Sequence, residues 1–257
     1  MSGEQLHTFL DNIEKTHGLY SPPALGLAAA IACCGFTFLL GGGPIEMFCA
    51  FVGAGIGNYL RCKLTKYHFT LFLCIVSSVS LACFAYAGML KLGEILFGIS
   101  VQHEAGYICA MLFIIPGFPF ITSGIDLAKL DMRSGMERLM YALIVILVAT
   151  MSAWIMALIL HLKPVNFMKL SLTMSQWILF RILASFCGVF GFSIMFNSPV
   201  RLAVAAAGIG AVANTLRLEL VDLANIPPAA AAFIGALTAG LLASLLKNKV
   251  GYPRISV

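Results

Sequence analysis

The residues best able to do chemistry are gathered in Pro116–Asp126, which reads PGFPFITSGID. Proline removes a backbone donor and clashes with the preceding turn, and glycine loosens a helix. Pro116, Gly117 and Pro119 therefore predict a break, kink or re-entrant turn inside an apolar run. Carbonyls freed by Pro116 and Pro119, together with amides freed at a half-helix N-terminus, are the groups that a small zwitterionic solute needs. Thr122 and Ser123 add hydroxyls beside the break; the alternative is that both bond back to their own helix, as hydroxyls in lipid often do. Asp126 is the acid nearest the break. A carboxylate toward the membrane interior costs about 2.5–3.5 kcal/mol on insertion scales, which makes Asp126 a candidate to take a proton or bind an ammonium group. An equally weighted reading places it at the interface, as the N-cap of a helix beginning at Leu127.

The elements that hold these residues must be membrane helices. Of the 257 residues, 60% are hydrophobic and only 11% are charged, against roughly 25% charged in a soluble domain. Apolar runs long enough to cross, or nearly cross, a hydrocarbon layer of roughly 30 Å recur from Pro22 onward. Residues 1–20 are polar and of mixed charge, without the basic start and short apolar core of a cleavable signal, so the first hydrophobic helix is expected to do the targeting. Irregular backbone survives in lipid only where protein buries it or where it lines a wet cavity, so a broken segment points to a solute path.

The spacing predicts an all-α, polytopic membrane protein of about eight transmembrane helices. They are expected at 23–40, 44–60, 67–90, 105 into the Pro-Gly stretch, 139–162, 177–196, 200–218 and 227–246. A polar connector with Glu94, His103 and Glu104 precedes the fourth segment, and the charged stretch from Asp126 to Arg138 reads as an interfacial connector. With the N-terminus in the cytosol, Lys15, Arg61, Lys63, Lys66, Lys129, Arg133, Arg138, Arg201, Lys247, Lys249 and Arg254 fall inside. Only Lys91, Lys163, Lys169, Arg181 and Arg217 then fall outside, and the asymmetry favours both termini in the cytosol. The net charge of +5 is thereby explained by topology, with no nucleic-acid partner expected.

An internal repeat emerges when the first two helices are laid over the sixth and seventh. Gly35-Phe36 matches Gly191-Phe192, Pro44 matches Pro199, Gly53-x-Gly55 matches Gly208-x-Gly210, and Asn58 matches Asn214. A displacement by an odd number of helices inverts the second copy in the membrane, the design of many secondary transporters. The second copy is expected to be incomplete: 21–162 forms the first repeat and 170–257 a shorter second one, so that a second membrane chain or a homo-oligomer would complete the path.

At these residues the chain resembles the threonine/serine exporter family of bacterial inner-membrane proteins. Pro116-Gly117-Phe118-Pro119-Phe120, then Asp126-Leu127, Gly135 and Arg138, follow that family's Pro-Gly-x-Pro-Leu-x-Asn, Asp-Leu, Gly and Arg pattern in order and spacing. The resemblance continues more weakly from Phe190 to Pro253. It implies a proton- or ion-coupled antiporter that exports threonine, serine or a similar solute through a multi-pass path in the inner membrane. Thr122 stands where the family pattern has Asn, keeping a hydrogen-bonding side chain without the amide. The family's N-terminal cytosolic domain and its last helices are not expected in this sequence. Two-chain relatives suggest an alternative, a subunit exporting small dicarboxylates, and a non-transporting subunit that stabilises a partner is a further one.

The remaining polar residues have structural readings beside functional ones. Asn58, Asn214 and Ser77 are candidates to line the path, with interhelical hydrogen bonding as the alternative, and Ser78 and Ser80 share the patch with Ser77. Arg138 reads first as a topology signal and second as a partner for Asp126 or Asp131. Gly53, Gly55, Gly57, Gly208, Gly210 and the run Ala229–Ala232 read as close helix packing. His68 and His161 look interfacial. Eight cysteines lie in or beside apolar runs without metal-ligand spacing, so neither disulfides nor a metal site is expected. With no Gly-x-x-x-x-Gly-Lys loop, no nucleotide or other cofactor is expected, and no pairing at membrane depth suggests an enzyme.

Overall fold

Proline starts several of the long helices, because its missing N–H falls where a first turn has no partner for one. Pro22 opens α1 (Pro22–Leu39), Pro44 opens α2 (Pro44–Lys66), Pro199 precedes α8 (Val200–Asp222) and Pro228 opens α9 (Pro228–Val250). Between them lie α3 (Leu71–Phe97), the short α4 (Tyr107–Ala110) flanked by 3₁₀ turns at Val101–Gly106 and Leu112–Ile114, α5 (Gly117–Ala128), α6 (Met132–Ile159) and α7 (Met174–Met195). This computed structural model describes residue 7 and residues 18–98, 101–163 and 170–250. Lys15, Lys169 and Arg254 lie outside the described residues, as do the side chains of Glu104 and Lys249.

Six helices are long and apolar enough to cross a membrane, and the bent pair Tyr107–Ile114 and Gly117–Ala128 makes a seventh if counted as one span. α2 falls short of that test although it is 23 residues long. It carries Glu46, Asn58 and Arg61, and it packs between α1 and α3, where neighbouring protein shields its polar groups from lipid. The glycines of α2 make that packing close: a side-chain carbon at Gly53 would meet the Ala82 carbonyl, and one at Gly57 would meet Ser78 and Phe113.

The two halves of the chain meet along α1 and α7. Gly35 lies against the Ala184 carbonyl and Gly188, while Gly191 lies against the Ala28 carbonyl and Ala32, so the helices run antiparallel. These contacts are reciprocal in the register that matches Gly35 with Gly191, and Phe36 meets its own counterpart Phe192 with ring centroids 5.3 Å apart. At one end of the crossing the Tyr20 hydroxyl donates to the Ser198 carbonyl, and at the other Phe38 packs on Trp177 and Phe180. α8 packs on α7, α9 packs on α8, and α6 bridges α3 and α5.

The stretch from Asp126 to Arg138 is not a separate connector. α5 continues to Ala128 and α6 begins at Met132, with Lys129, Leu130 and Asp131 making the turn and Leu130 in the left-handed region at φ 64°. Asp131 caps α6 by accepting the Ser134 amide at 3.2 Å, and bonds from Ser134 hold its carboxyl below the usual carboxylate range.

Candidate functional site

The break predicted over Pro116–Asp126 is confined to its first residues. The axes on either side bend by 53°, Ile115 is extended, and Pro116 precedes α5 as its N-cap residue. Pro119 lies in the first turn of α5, where no amide partner is lost, so it neither frees a further carbonyl nor bends the chain. Arg61 reaches this place from α2: its Nη1 donates to the Phe113 carbonyl at 3.2 Å, satisfying a backbone acceptor just before the break. Its position beside Lys63 and Lys66 suggested only a topology signal, and nothing local in the sequence marks its long reach.

The two hydroxyls are both engaged. Thr122 Oγ1 donates to the carbonyls of Phe118 and Pro119 in its own helix, at 3.0 and 3.1 Å. Ser123 Oγ donates to the Gly135 carbonyl at 2.7 Å and ties α5 to α6. Asp126 is no N-cap, since it lies within the last turn of α5. Its Oδ2 accepts from Arg138 Nη1 at 2.7 Å, with the Arg138 side chain half exposed and that of Asp126 more covered. The α5–α6 turn thus brings together Ser123, Asp126, Asp131, Gly135 and Arg138.

A groove of about 670 Å³ runs beside the break. Leu112, Ile115, Gly117 and Phe118 form one wall; Phe192, Ser193, Asn197 and Ser198, from α7 and the turn after it, form another. A second hollow, of about 610 Å³, lies on the other side of α5, where Pro119 and Thr122 face Glu137, Arg138 and Tyr141.

Asn58 and Asn214 make hydrogen bonds between helices of their own halves. Asn58 Nδ2 donates to the Leu25 carbonyl at 2.8 Å, and Asn214 Nδ2 donates to Ser185 Oγ at 2.8 Å. Each therefore ties the second helix of its half to the first, α2 to α1 and α8 to α7. Ser77 is half-buried on α3, and Ser78 donates back to the Ile75 carbonyl at 3.1 Å.

Two polar clusters at the other end of the bundle were not assembled by sequence reasoning. Glu46, fully buried in the first turn of α2, lies with Oε1 2.7 Å from His103 Nδ1, and its Oε2 accepts the Gly43 amide at 3.0 Å. The Tyr86 hydroxyl, also fully buried, donates to the His103 carbonyl at 2.5 Å. Between α7 and α8, Arg181 pairs with Glu219 at 2.7 Å and with Asp222, and its guanidinium lies 5.1 Å from the Trp177 ring. The only local hint of the first cluster is an acid in the first turn of an apolar helix, which reads equally well as a cap.

Among the described residues no group of three or more His, Cys, Asp or Glu side chains could hold a metal ion, and all eight cysteines are free. The arrangement offers charge pairs, hydroxyls bonded to backbone carbonyls and a bent span with two hollows beside it that share Phe118.

Comparison with known proteins agrees with that geometry. Residues 1–160 match the family model described as "Putative threonine/serine exporter", and residues 181–256 match the one described as "Threonine/Serine exporter, ThrE". No curated protein and no solved structure matches the chain. With the bent span, the α5–α6 turn and the α1–α7 crossing all inside the matched regions, the chain belongs to the threonine/serine exporter family of membrane transporters.

Proposed function

We propose that the chain exports threonine, serine or a similar small amino acid across the inner membrane, driven by a proton or ion gradient, with both termini in the cytosol. The observation that carries this reading is the bent span at Ile115-Pro116, whose groove is walled on its far side by α7, the helix that runs antiparallel to α1. Broken helices at the meeting of oppositely oriented units are where secondary transporters hold their substrates. The reciprocal contacts of Gly35 with Ala184 and of Gly191 with Ala28, and the Phe36–Phe192 pair, support an inverted repeat centred on this crossing. Small residues at the crossing let two units approach closely, as relative movement between them requires.

In this reading Pro116 and Gly117 open the backbone to the solute, while Thr122 and Ser123 hold α5 in shape beside it. Pro119 fixes the first turn of α5. Asp126 meets the solute ammonium or the coupling proton at the cytosolic side, and Arg138 competes for the same carboxylate, so that binding and release exchange one partner for the other. Asn58, Asn214 and Ser77 keep the scaffold in register. A second membrane chain or a second copy would supply the remainder of the path beyond this groove.

The experiment is efflux of radiolabelled threonine from loaded vesicles containing Asp126→Asn. Export is expected to be abolished while membrane insertion is retained; undiminished export removes Asp126 from the mechanism. Efflux of succinate-like dicarboxylates in place of threonine would assign the path to a different substrate class.

A further inference from the structure

Glu46 is the most completely enclosed acid in the described structure, at 0% exposure, and His103 is its sole ion-pair partner among the described residues. Burying a carboxylate costs several kcal/mol or more unless it is paired and hydrogen-bonded, and here both oxygens are occupied, one by His103 Nδ1 and one by the Gly43 amide. A helix cap alone does not require this arrangement, since a cap works at an exposed end and needs no buried imidazole.

The surroundings connect the pair to the broken span. Among the described residues, the other titratable groups that face Glu46 are Cys49 from α2, Tyr86 from α3 and Cys109 from α4; none of these is a permanent cation. Tyr86 holds the carbonyl of His103, and Gly106 leaves no room for a side chain against the Tyr86 ring. The 3₁₀ turn Val101–Gly106 that carries His103 leads directly into α4 and from there to the break.

We infer that Glu46 and His103 form the proton-binding site that couples transport to a pH gradient, at the end of the bundle opposite Asp126. This inference rests on the transporter reading above. A proton taken from the aqueous phase at that end converts the Glu46 carboxylate to a carboxyl and removes the charge-assisted bond to His103. That frees the turn and lets α4 shift relative to α2 and α3. Return of the proton to water restores the carboxylate and the closed turn. Among the described residues the pair faces no permanent cation that would fix its charge, so a proton gained or lost there alters the bond between Glu46 and His103 directly.

The test uses the full chain in proteoliposomes, with three readouts: exchange of radiolabelled threonine without a gradient, accumulation of threonine against a pH gradient, and movement of protons reported by an enclosed dye. In Glu46→Gln, exchange persists while gradient-driven accumulation and threonine-dependent proton movement fall by about tenfold or more. Glu94→Gln, exposed on α3, keeps the wild-type ratio of the two. Proton-coupled accumulation at wild-type level in Glu46→Gln overturns the inference. If Glu46→Gln does not insert, His103→Gln takes its place with the same expected and contradicting results. Should the wild-type protein exchange no amino acid, the transporter reading fails by itself. Infrared difference spectra between acid and alkaline pH then decide the site separately: a buried-carboxyl band present in wild type and missing in the variant supports it, and an unchanged band refutes it.

Discussion

The Asp126–Arg138 pair is proposed to act in transport and is expected to contribute little to stability. Their 2.7 Å contact joins a half-exposed guanidinium to a partly covered carboxylate, and such pairs are worth about 0.2–1 kcal/mol in double-mutant cycles. Thermal unfolding of Asp126→Asn, Arg138→Gln and the double variant is expected to give a coupling in that range, even as export collapses in Asp126→Asn. A coupling of several kcal/mol would mean the pair is a structural clamp. Arg61 has the opposite balance. Removing its guanidinium in Arg61→Met leaves the Phe113 carbonyl unpaired beside the break, and a loss of about 1–3 kcal/mol is expected in the same measurement. The part played by Arg61 was hidden in the sequence, as was the Glu46–His103 pair, because both depend on contacts more than fifty positions apart.

At the scale of the elements, local chemistry was legible and long-range packing was not. Helix starts expected at residues 23, 44, 200 and 227 fall at Pro22, Pro44, Val200 and Pro228, because proline's effect acts within its own turn. The bend at Pro116 was legible for the same reason, but Pro119 was read as a second lesion when it sits harmlessly in a first turn. The charges from Asp126 to Arg138 looked like a solvated connector; they occupy two helix ends joined at Asp131, whose capping role becomes visible only once the turn is formed. Glycines divide the same way. Gly191→Leu, placed against the Ala28 carbonyl and Ala32, is expected to destabilise the α1–α7 crossing by about 1–3 kcal/mol or more. Gly124→Ala, on an open face of α5 with nothing within 4 Å, is expected to be neutral or to stabilise by up to about 1 kcal/mol. Unfolding midpoints in detergent check both, and equal effects would contradict this account of the crossing.

For the whole molecule, the order Gly-Phe, Pro, Gly-x-Gly, Asn along the chain suggests two related units; the structure shows α1 meeting α7 antiparallel at the two Gly-Phe pairs, while Gly53 is closely packed and Gly208 has nothing within 4 Å. The proposed orientation rests on where the basic side chains gather: Arg61, Lys63, Lys66, Lys129, Arg133, Arg138, Arg201 and Lys247 belong to one end by the alternating directions of the helices, the end proposed to face the cytosol. In that orientation Asp126 lies at the cytosolic side and Glu46 with His103 at the far side, and the bent span runs between the two places proposed to meet solute and proton. The most direct measurement is efflux from vesicles that contain the wild-type chain, loaded with a panel of amino acids and dicarboxylates, after a pH gradient is imposed. Threonine and serine are expected to leave faster than from protein-free vesicles, and only when the gradient is present; a panel in which nothing leaves, or only dicarboxylates do, would contradict the account.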